Sequence, residues 1–401
     1  MLHIYRDDKP DYYECVDYIQ RSVKQGIRLD LEYIDETLRN MTPTVEIQKE
    51  VIENKFRINN LNSSVQIKNR FMQLYEGRME ELGVCKQFNK KSRDMQYSFS
   101  KESLEALVES NGDELADGIL KYREASGVIK SLTSLRDCAN KEGMVYPNVN
   151  IGETGRISYS NPALASINKD MMWDILGTTE YGNGLYIVDI SQQEPWILMH
   201  WYDIEQLKEL VAEDPEKDFY NAVSVAALGE KVTGDSRSEV KRIWNALTYG
   251  ASANTLVKYG KHIDANKIVK YFNSIPEIVD YKKSIKDWVY NQGLDTVDTY
   301  FGRTITVDDF NRQSRIRKML NYGIQGTAAD IMVFLVNYLK DIIEERELED
   351  IIKLRYTIYD AIVLEVSGKY RTEDVIECLS EMFEHRIDDW LPFKFKIKRE
   401  K

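Results

Sequence analysis

Cysteine and histidine are scarce in this chain, four of each among 401 residues, and neither type is clustered. Cys15, Cys85, Cys138 and Cys378 lie far apart with no CxxC pair, which excludes a disulfide framework and a zinc ribbon and fits a reducing cytoplasm. His3, His200, His262 and His385 are too dispersed for a histidine metal site or a His-based triad, so carboxylates must carry any metal chemistry. No apolar run of about 18 residues is apparent and the first residues, Met-Leu-His-Ile-Tyr-Arg-Asp-Asp, hold no signal core, so neither export nor a membrane is expected. Net positive charge is lacking too: 66 acidic residues against 54 basic leave −12. Taken alone, that balance argues against a nucleic-acid partner, since phosphate binding needs positive surface. Basic residues nevertheless gather locally at Lys68, Arg70, Arg78, Lys86, Lys90, Lys91 and Arg93, and again at Arg312, Arg315, Arg317 and Lys318. Each cluster reads equally as a solvated face or a phosphate-binding one.

What is present is a globular composition, 43% hydrophobic, long enough for two or three subdomains. No repeat, low-complexity tract or Pro/Gly-rich linker divides it, so one cooperative unit is expected. Residues 11 to 137 are polar with helical periodicity, over Leu31 to Phe56, Val65 to Met79 and Glu114 to Leu135, and show no strand signal. From Met144 short strands are expected at 144–151, Leu185 to Asp189, Asp295 to Tyr300, Tyr356 to Tyr359 and Ile362 to Val366. Helical patterns separate them, over Glu194 to Val211, Ser236 to Lys258, Pro276 to Asn291 and Arg315 to Glu345. Strands parted by helical excursions behind a helical preamble indicate an α+β body.

One helical segment, Arg237-Ser-Glu-Val-Lys241-Arg-Ile-Trp-Asn245-Ala-Leu-Thr-Tyr249-Gly250, sets Arg237, Lys241, Asn245 and Tyr249 four residues apart. Such steps drift by about 40° on a 3.6-residue helix, so the four side chains form a slowly winding stripe. Two cations and an aromatic suit a polyphosphate carrying a base: Arg offers a planar fork and Lys a compact charge that can give up a proton. An exposed charged face would show the same spacing. Two aspartates stand out by position. Asp189 ends the apolar run Leu-Tyr-Ile-Val and opens a helix, while Asp360 lies between Leu354-Arg-Tyr-Thr-Ile-Tyr359 and Ala361-Ile-Val-Leu-Glu-Val366, where a hairpin would turn. Asp189 could be a helix N-cap, helped by Gln192, and Asp360 a turn former. Together they could instead hold paired Mg²⁺, which takes oxygen ligands and leaves positions for substrate phosphates.

These residues resemble the A family of DNA polymerases. Asp189-Ile-Ser191-Gln192-Gln-Glu194 is similar to that family's first palm motif, Arg237, Lys241, Tyr249 and Gly250 to its fingers helix, and Tyr359-Asp360-Ala361 falls where it has His-Asp-Glu. Gly26-Ile-Arg-Leu-Asp30, Thr154-Gly155-Arg156-Ile-Ser158, Phe301-Gly302-Arg303 and Asn321-Tyr-Gly-Ile-Gln325-Gly326-Thr327-Ala-Ala-Asp330 follow in the family's order, and Asn62-Ser-Ser-Val-Gln66 is similar to a stretch of its thumb. The resemblance spans residues 26 to 366. It implies a right-hand architecture: a palm with an antiparallel sheet, helical fingers and a helical thumb. The implied domains are an N-terminal segment packing on the palm (1–30), thumb (31–137), palm (138–204), fingers (205–294) and palm again (295–401). The stretch ahead of Thr154 is too short for a further α/β domain, so neither a 3′–5′ nor a 5′–3′ exonuclease domain, and no proofreading, is expected.

By position, the resemblance implies that Asp189 and Asp360, with the Ile190 backbone carbonyl, hold two Mg²⁺ ions, for which Mn²⁺ could substitute. Arg237 and Lys241 would hold the triphosphate, with Lys241 able to protonate the departing pyrophosphate. Gln192, Asn245 and Tyr249 would complete the nucleotide site, Glu194 filling the space of a ribose 2′-hydroxyl with Tyr249 as its hydrogen-bond partner. Arg156, Arg317, Asn321, Gln325 and Tyr359 would meet DNA, with the minor-groove contacts testing pair shape without reading sequence. Gly302 is expected in a turn, Arg303 on a phosphate or at the surface, and Asp330 in a structural role.

Some residues depart from the family pattern. Asn245 stands where Phe or Tyr is usual, Tyr359 and Ala361 replace His and Glu, Pro195 and Trp196 replace the common Leu and Arg, and the run from Asn161 to Ser166 differs. They point to a divergent lineage of phage or mobile-element type. The implied reaction is template-directed addition of dNTPs to a primer 3′-hydroxyl in a bacterial or phage-infected cytoplasm. The expected partners are primer–template DNA, dNTPs and replication accessory proteins, with the chain a monomer. A single-subunit RNA polymerase or primase-like enzyme would share the aspartates but not an acidic sugar gate, and a DNA-binding replication scaffold would have no need of triphosphate chemistry. A Walker-type NTPase is excluded, because Gly260-Lys261 is followed by His262 and has Thr255 where the first loop glycine belongs.

Overall fold

A computed structural model of the chain describes residues 1–84, 86–89, 94–214, 216–251, 256, 260–390 and 392–401. Cys85, Lys90, Lys91, Arg93, Thr255 and Lys258, all considered above, lie outside the described residues. The chain begins with β1 (Leu2–Ile4), α1 (Tyr12–Lys24) and β2 (Ile27–Leu29), then the long α2 (Leu31–Phe56) and α3 (Ser64–Leu74). A strand pair, β3 (Lys86–Asn89) and β4 (Asp94–Tyr97), precedes α4 (Lys101–Asn111) and α5 (Glu114–Cys138). Short strands follow, β5 (Met144–Val145), β6 (Asn148–Ile151) and β7 (Ile157–Ser160), then α6 (Met172–Ile175), β8 (Leu176–Gly177) and the central strand β9 (Gly184–Ile190). Helices α7 (Gln193–Trp201), α8 (Glu205–Glu213), α9 (Phe219–Leu228), α10 (Gly234–Thr248), α11 (Ala265–Asn273) and α12 (Pro276–Asp287) come next. The remainder is β10 (Thr296–Asp298), β11 (Thr304–Thr306), α13 (Arg312–Glu345), β12 (Ile352–Ile358), β13 (Ala361–Val366), α14 (Thr372–Met382), β14 (His385–Ile387) and β15 (Phe395–Arg399).

Side-chain caps set several of these starts. Asp30 accepts from the Tyr33 amide at 3.0 Å, Asp113 from Ala116 at 2.6 Å and Asn311 from Ser314 at 2.9 Å, each satisfying an amide that the first helical turn leaves without a partner. Two expectations need correction. Residues 11 to 137 do contain strands: β2 is three residues long with partners distant in sequence, and β3 and β4 are built mainly of polar residues, so neither shows apolar alternation. The helix expected over Glu194 to Val211 is broken into α7 and α8, because Asp203 adopts a left-handed φ of 53°. An 18-residue window of α13 is apolar enough in composition to cross a membrane, but 78% of that window is buried inside the fold, as befits a core helix.

The chain divides into two compact units, one of residues 1–27, 146–160 and 178–401, the other of 28–145 and 161–177. These limits differ from the expected ones: 138–145 and 161–177 join the helical region rather than the palm, and the segments expected as fingers and palm share one unit. The second unit packs α2 against α5 around Phe71, Leu104, Leu107, Leu115 and Ile119, with Phe71 stacked on Phe99 at 4.7 Å. Described members of its basic cluster are engaged locally, Lys68 with Gln96, Arg78 with Glu81 and Lys86 with Glu80, which suits a solvated face.

In the first unit a four-stranded sheet has the order β12-β13-β9-β15. All three pairings are antiparallel, and α1 packs against β12 and α13. A bulge between Leu354 and Tyr356 leaves Arg355 out of the β12–β13 register. The buried Arg355 donates from Nε to buried Glu365 at 2.9 Å. Glu365 also accepts from the amides of Thr179 and Glu180 and from Asn183 Nδ2. Burial opposes its ionisation, but those amides, Arg355 and Asn183 outweigh it and hold the carboxyl below its ordinary value. The depressed value means the pair's contribution is present above the unfolded carboxylate range and disappears as pH falls through the folded one. Arg355→Met, which strands a buried charge, is expected to cost about 3–5 kcal/mol in urea unfolding. Glu365→Gln should flatten the acid limb of stability against pH; an unchanged acid limb would show that Glu365 does not set it.

Candidate active site

The two aspartates meet through strand register. Ile358 faces Ala361 across a two-residue turn, Tyr359-Asp360, and Ala361 in turn faces Asp189 on β9. Asp360 therefore lies one residue from the position opposite Asp189, and its carbonyl accepts from the Ile190 amide at 3.0 Å. Asp189 is not the helix cap: the strand runs on to Ile190, and α7 starts only at Gln193, after Gln192 at φ 59°. Asp360 is a turn residue, and the turn is what presents it. Burial pushes its carboxyl above the ordinary value and the charge of Glu194 adds to this, while Arg156 and Lys241 pull the other way. A carboxylate held at such a cost, beside a second one, is a fitting ligand for a hard cation. Among the described residues no three His, Cys, Asp or Glu close into a complete cage.

Helix α10 lays its stripe along one side. Arg237, Asn245 and Tyr249 are half-buried and Lys241 is exposed, while Val240, Ile243, Trp244 and Leu247 form the buried face. Tyr249, the C-cap, donates its hydroxyl to one oxygen of Glu194, the expected pairing, and Arg156 holds the other. Burial and the Glu194 charge both keep the Tyr249 hydroxyl protonated, as a donor must be. Arg237 gives Nε and a terminal nitrogen to Asp218 at 3.0 and 2.6 Å, leaving other N–H groups of its fork for a further anion. Tyr220 was not anticipated. Its buried ring lies under Arg237 at 5.3 Å and Lys241 at 5.9 Å, and its hydroxyl donates to Asn245 Oδ1 at 3.2 Å. Asp218 was missed as well; the one sequence signal for both was an Asp-Phe-Tyr helix start. Gln192, expected at the nucleotide, engages the start of α9: Oε1 accepts from the Phe219 amide at 2.8 Å and Nε2 reaches Asp218, the partner of Arg237, at 3.4 Å. It braces the start of α9.

Of the residues expected on DNA, Arg317, Asn321 and Gln325 form a second four-residue stripe on α13, with Arg317 exposed and the other two half-buried. Asn321 Oδ1 is buried and has no partner among the described residues. Tyr359 is 62% exposed at the tip of the turn, at φ 53°. Arg156 follows Gly155, whose φ of 89° and close neighbours require glycine: an added Cβ would collide with the Tyr12 hydroxyl and come within 2.7 Å of Arg303. Gly302 turns at φ 74° as expected. Arg303 is neither surface charge nor free anion site. It donates to buried Asp330 at 2.7 Å and to the carbonyls of Thr154 at 2.9 Å and Gly326 at 3.2 Å, and Tyr12 adds a 2.8 Å bond to Asp330. This clasp fixes the loop that carries Arg156.

A right-hand polymerase fold with this arrangement defines a class, and the chain belongs to DNA polymerase family A, whose model matches residues 32–399. It is similar to DNA polymerase I of Aquifex aeolicus, 27% identical over 277 residues, covering 66% of this chain and 46% of that protein. It is also 27% identical over 394 residues to the thermostable DNA polymerase I of Thermus thermophilus, covering 91% of this chain and 44% of the relative. The chain thus spans less than half the length of either. Its fold matches the POL domain of Pol1 from M. smegmatis in complex with DNA primer–template and dNTP, with a TM-score of 0.77 at 23% identity, over 94% of this chain and 68% of that one.

The clasp can be tested without an activity assay. Arg303→Lys cannot span three acceptors and leaves Asp330 incompletely paired; a loss of about 1.5–3 kcal/mol in denaturant unfolding is expected. An undisturbed midpoint would mean the clasp does not hold the loop.

Proposed function

We propose that this chain is a template-directed DNA polymerase that adds dNTPs to a primer 3′-hydroxyl, with primer–template DNA and dNTPs as its partners. The observation that carries this reading is the convergence of Asp189 and Asp360, at one end of the sheet, with a helix face bearing Arg237, Lys241 and Tyr249. In this reading the helical unit is the thumb, α8 to α11 belong to the fingers, and the sheet with α13 and the N-terminal segment forms the palm.

Asp189 and Asp360, with the carbonyl of Ile190, would hold two Mg²⁺ ions, which when bound promote ionisation of the attacking hydroxyl and neutralise charge on the phosphates. The chain's own residues do the rest. Arg237 directs its remaining N–H donors at the triphosphate, and Asp218 keeps its guanidinium aimed there. Lys241 supplies a point charge to the same group and a proton to the departing pyrophosphate. Glu194 is held on both oxygens, by Arg156 and Tyr249, so it stands as a fixed anion where a ribose 2′-hydroxyl would have to fit. Asn245 offers an amide instead of a ring at the sugar, and buried Tyr220 orients that amide. Arg317, Asn321 and Gln325 face the duplex minor groove, where acceptors recur at every correct pair. Movement of α10 toward the palm would test the pair before chemistry.

Primer extension on a defined template, run with dNTPs and rNTPs in parallel, tests this reading. Asp360→Ala should lower kcat about a thousandfold or more, several kcal/mol of transition-state stabilisation, while primer–template affinity is retained. Full extension by that variant would remove Asp360 from the chemistry. Glu194→Ala should admit rNTPs at the expense of dNTP selectivity; an unchanged rNTP:dNTP ratio would end its role as sugar gate. Preference of the wild-type chain for rNTPs would favour an RNA polymerase instead.

A further inference from the structure

Beyond the site itself, β15 carries a feature that none of the roles above uses. Among the described residues it is the edge strand of the sheet, paired with β9 alone, and its register sets Lys396 opposite Asp189 and Lys398 opposite Ile187. Directly opposed residues in an antiparallel pair share a face. The face that carries Asp189 therefore also carries Lys396 and Lys398, and it is open toward the β15 edge: Ile187 and Asp189 are half-buried and both lysines are exposed, while Ala361, Val363 and Glu365 of β13 on the same face are buried. Phe395, the residue before Lys396, points the other way, against Phe383 and His385. Neither lysine side chain makes a hydrogen bond or ion pair to another described residue, whereas neighbouring Lys394 is committed to the Glu216 carbonyl and Arg399 to Thr372. At about 3.4 Å per residue, the two ammonium groups step away from Asp189 by about 6.8 Å along the strand. Glu400, next in the alternation, ends the row.

We infer that Lys396 and Lys398 form a phosphate track for the primer strand, contacting its backbone just behind the 3′ end. The occupant follows from charge and place. A chain of net charge −12 keeps two unpaired cations on the one sheet face that also bears Asp189, in a row leading outward from it. A strand whose end lies at Asp189 and Asp360 must leave the site across or beside that face. The inference rests on the polymerase reading for the strand's identity, but not for the electrostatics. The competing explanation is edge protection, since lysines on an edge strand also deter strand-to-strand aggregation.

Primer–template binding measured by fluorescence anisotropy across a salt series separates the two. Each phosphate contact contributes about 0.9 to the slope of log K against log salt, so K396Q/K398Q should lower its magnitude by about 2, and each single variant by about 1. The charge-matched control K24Q/K369Q, at exposed lysines elsewhere, should leave it unchanged. Methylphosphonate linkages near the primer 3′ end, which remove the backbone charge, should weaken binding to wild type but add little to the double variant. An unchanged slope with new self-association in sedimentation would assign the lysines to edge protection, and an equal loss in the control would reduce the effect to net charge. Methylphosphonates that act only from the template strand would overturn the primer assignment. Extension run alongside separates the two readings: active extension with an unchanged slope sinks the track alone. Inactive wild-type protein that still shows the slope loss sinks the polymerase reading alone.

Discussion

The pairing of Ala361 with Asp189 is the constraint on which the site depends. Side chains alternate faces along a strand, so a slip of one residue between β13 and β9 would send Asp189 into the core and bring Val188 or Ile190 to the open face. The buried pattern of these strands makes that slip costly, since both are apolar on their inward positions and β13 is buried throughout. The turn adds a second lock. With only Tyr359 and Asp360 between the paired Ile358 and Ala361, Asp360 has no freedom to move along the strand, and the Ile190 amide fixes its carbonyl.

Around that frame the protein positions charge by pairing it. Glu194 is shared between Arg156 and Tyr249, Arg237 is held by Asp218, and Asp330 is clasped by Arg303 and Tyr12. Buried or half-buried pairs of this sort add little net stability when formed and much instability when broken. Their value lies in direction: each fixes an ion that would otherwise sample many rotamers. The surplus of acidic residues on the chain as a whole is thus compatible with a locally cationic site.

Much of this was legible in residue order, and the rest fails for identifiable reasons. The strand at 185–189, the hairpin around Asp360 and the stripe on α10 follow from apolar runs and four-residue spacing, which local rules capture. Tyr220 and Asp218 escaped because their significance depends on α9 lying beside α10, a tertiary fact with no periodic trace. The partners of Gln192 and Arg303 escaped for the same reason: an amide or guanidinium shows its capacity in sequence, but which groups claim it is decided by packing. The break at Asp203 and the strands β2, β3 and β4 eluded a reading by alternation because one hangs on a single left-handed residue and the others are short or polar.

The sheet's strand order also bears on how the chain reaches its native state. The helical unit is built largely from contacts within 28–145, α4 with α5 locally and α2 with α5 across a loop much shorter than those the sheet must close, so it can consolidate earlier than the sheet. The strand bearing Asp189 is flanked by β13 and β15, whose residues lie some 170 to 210 positions later. Those pairings carry a large loop-closure entropy and form slowly. During synthesis β9 therefore waits, with both edges unpaired, until residues 361–366 and 395–399 emerge, which makes it the segment most exposed to misassociation before the fold is complete.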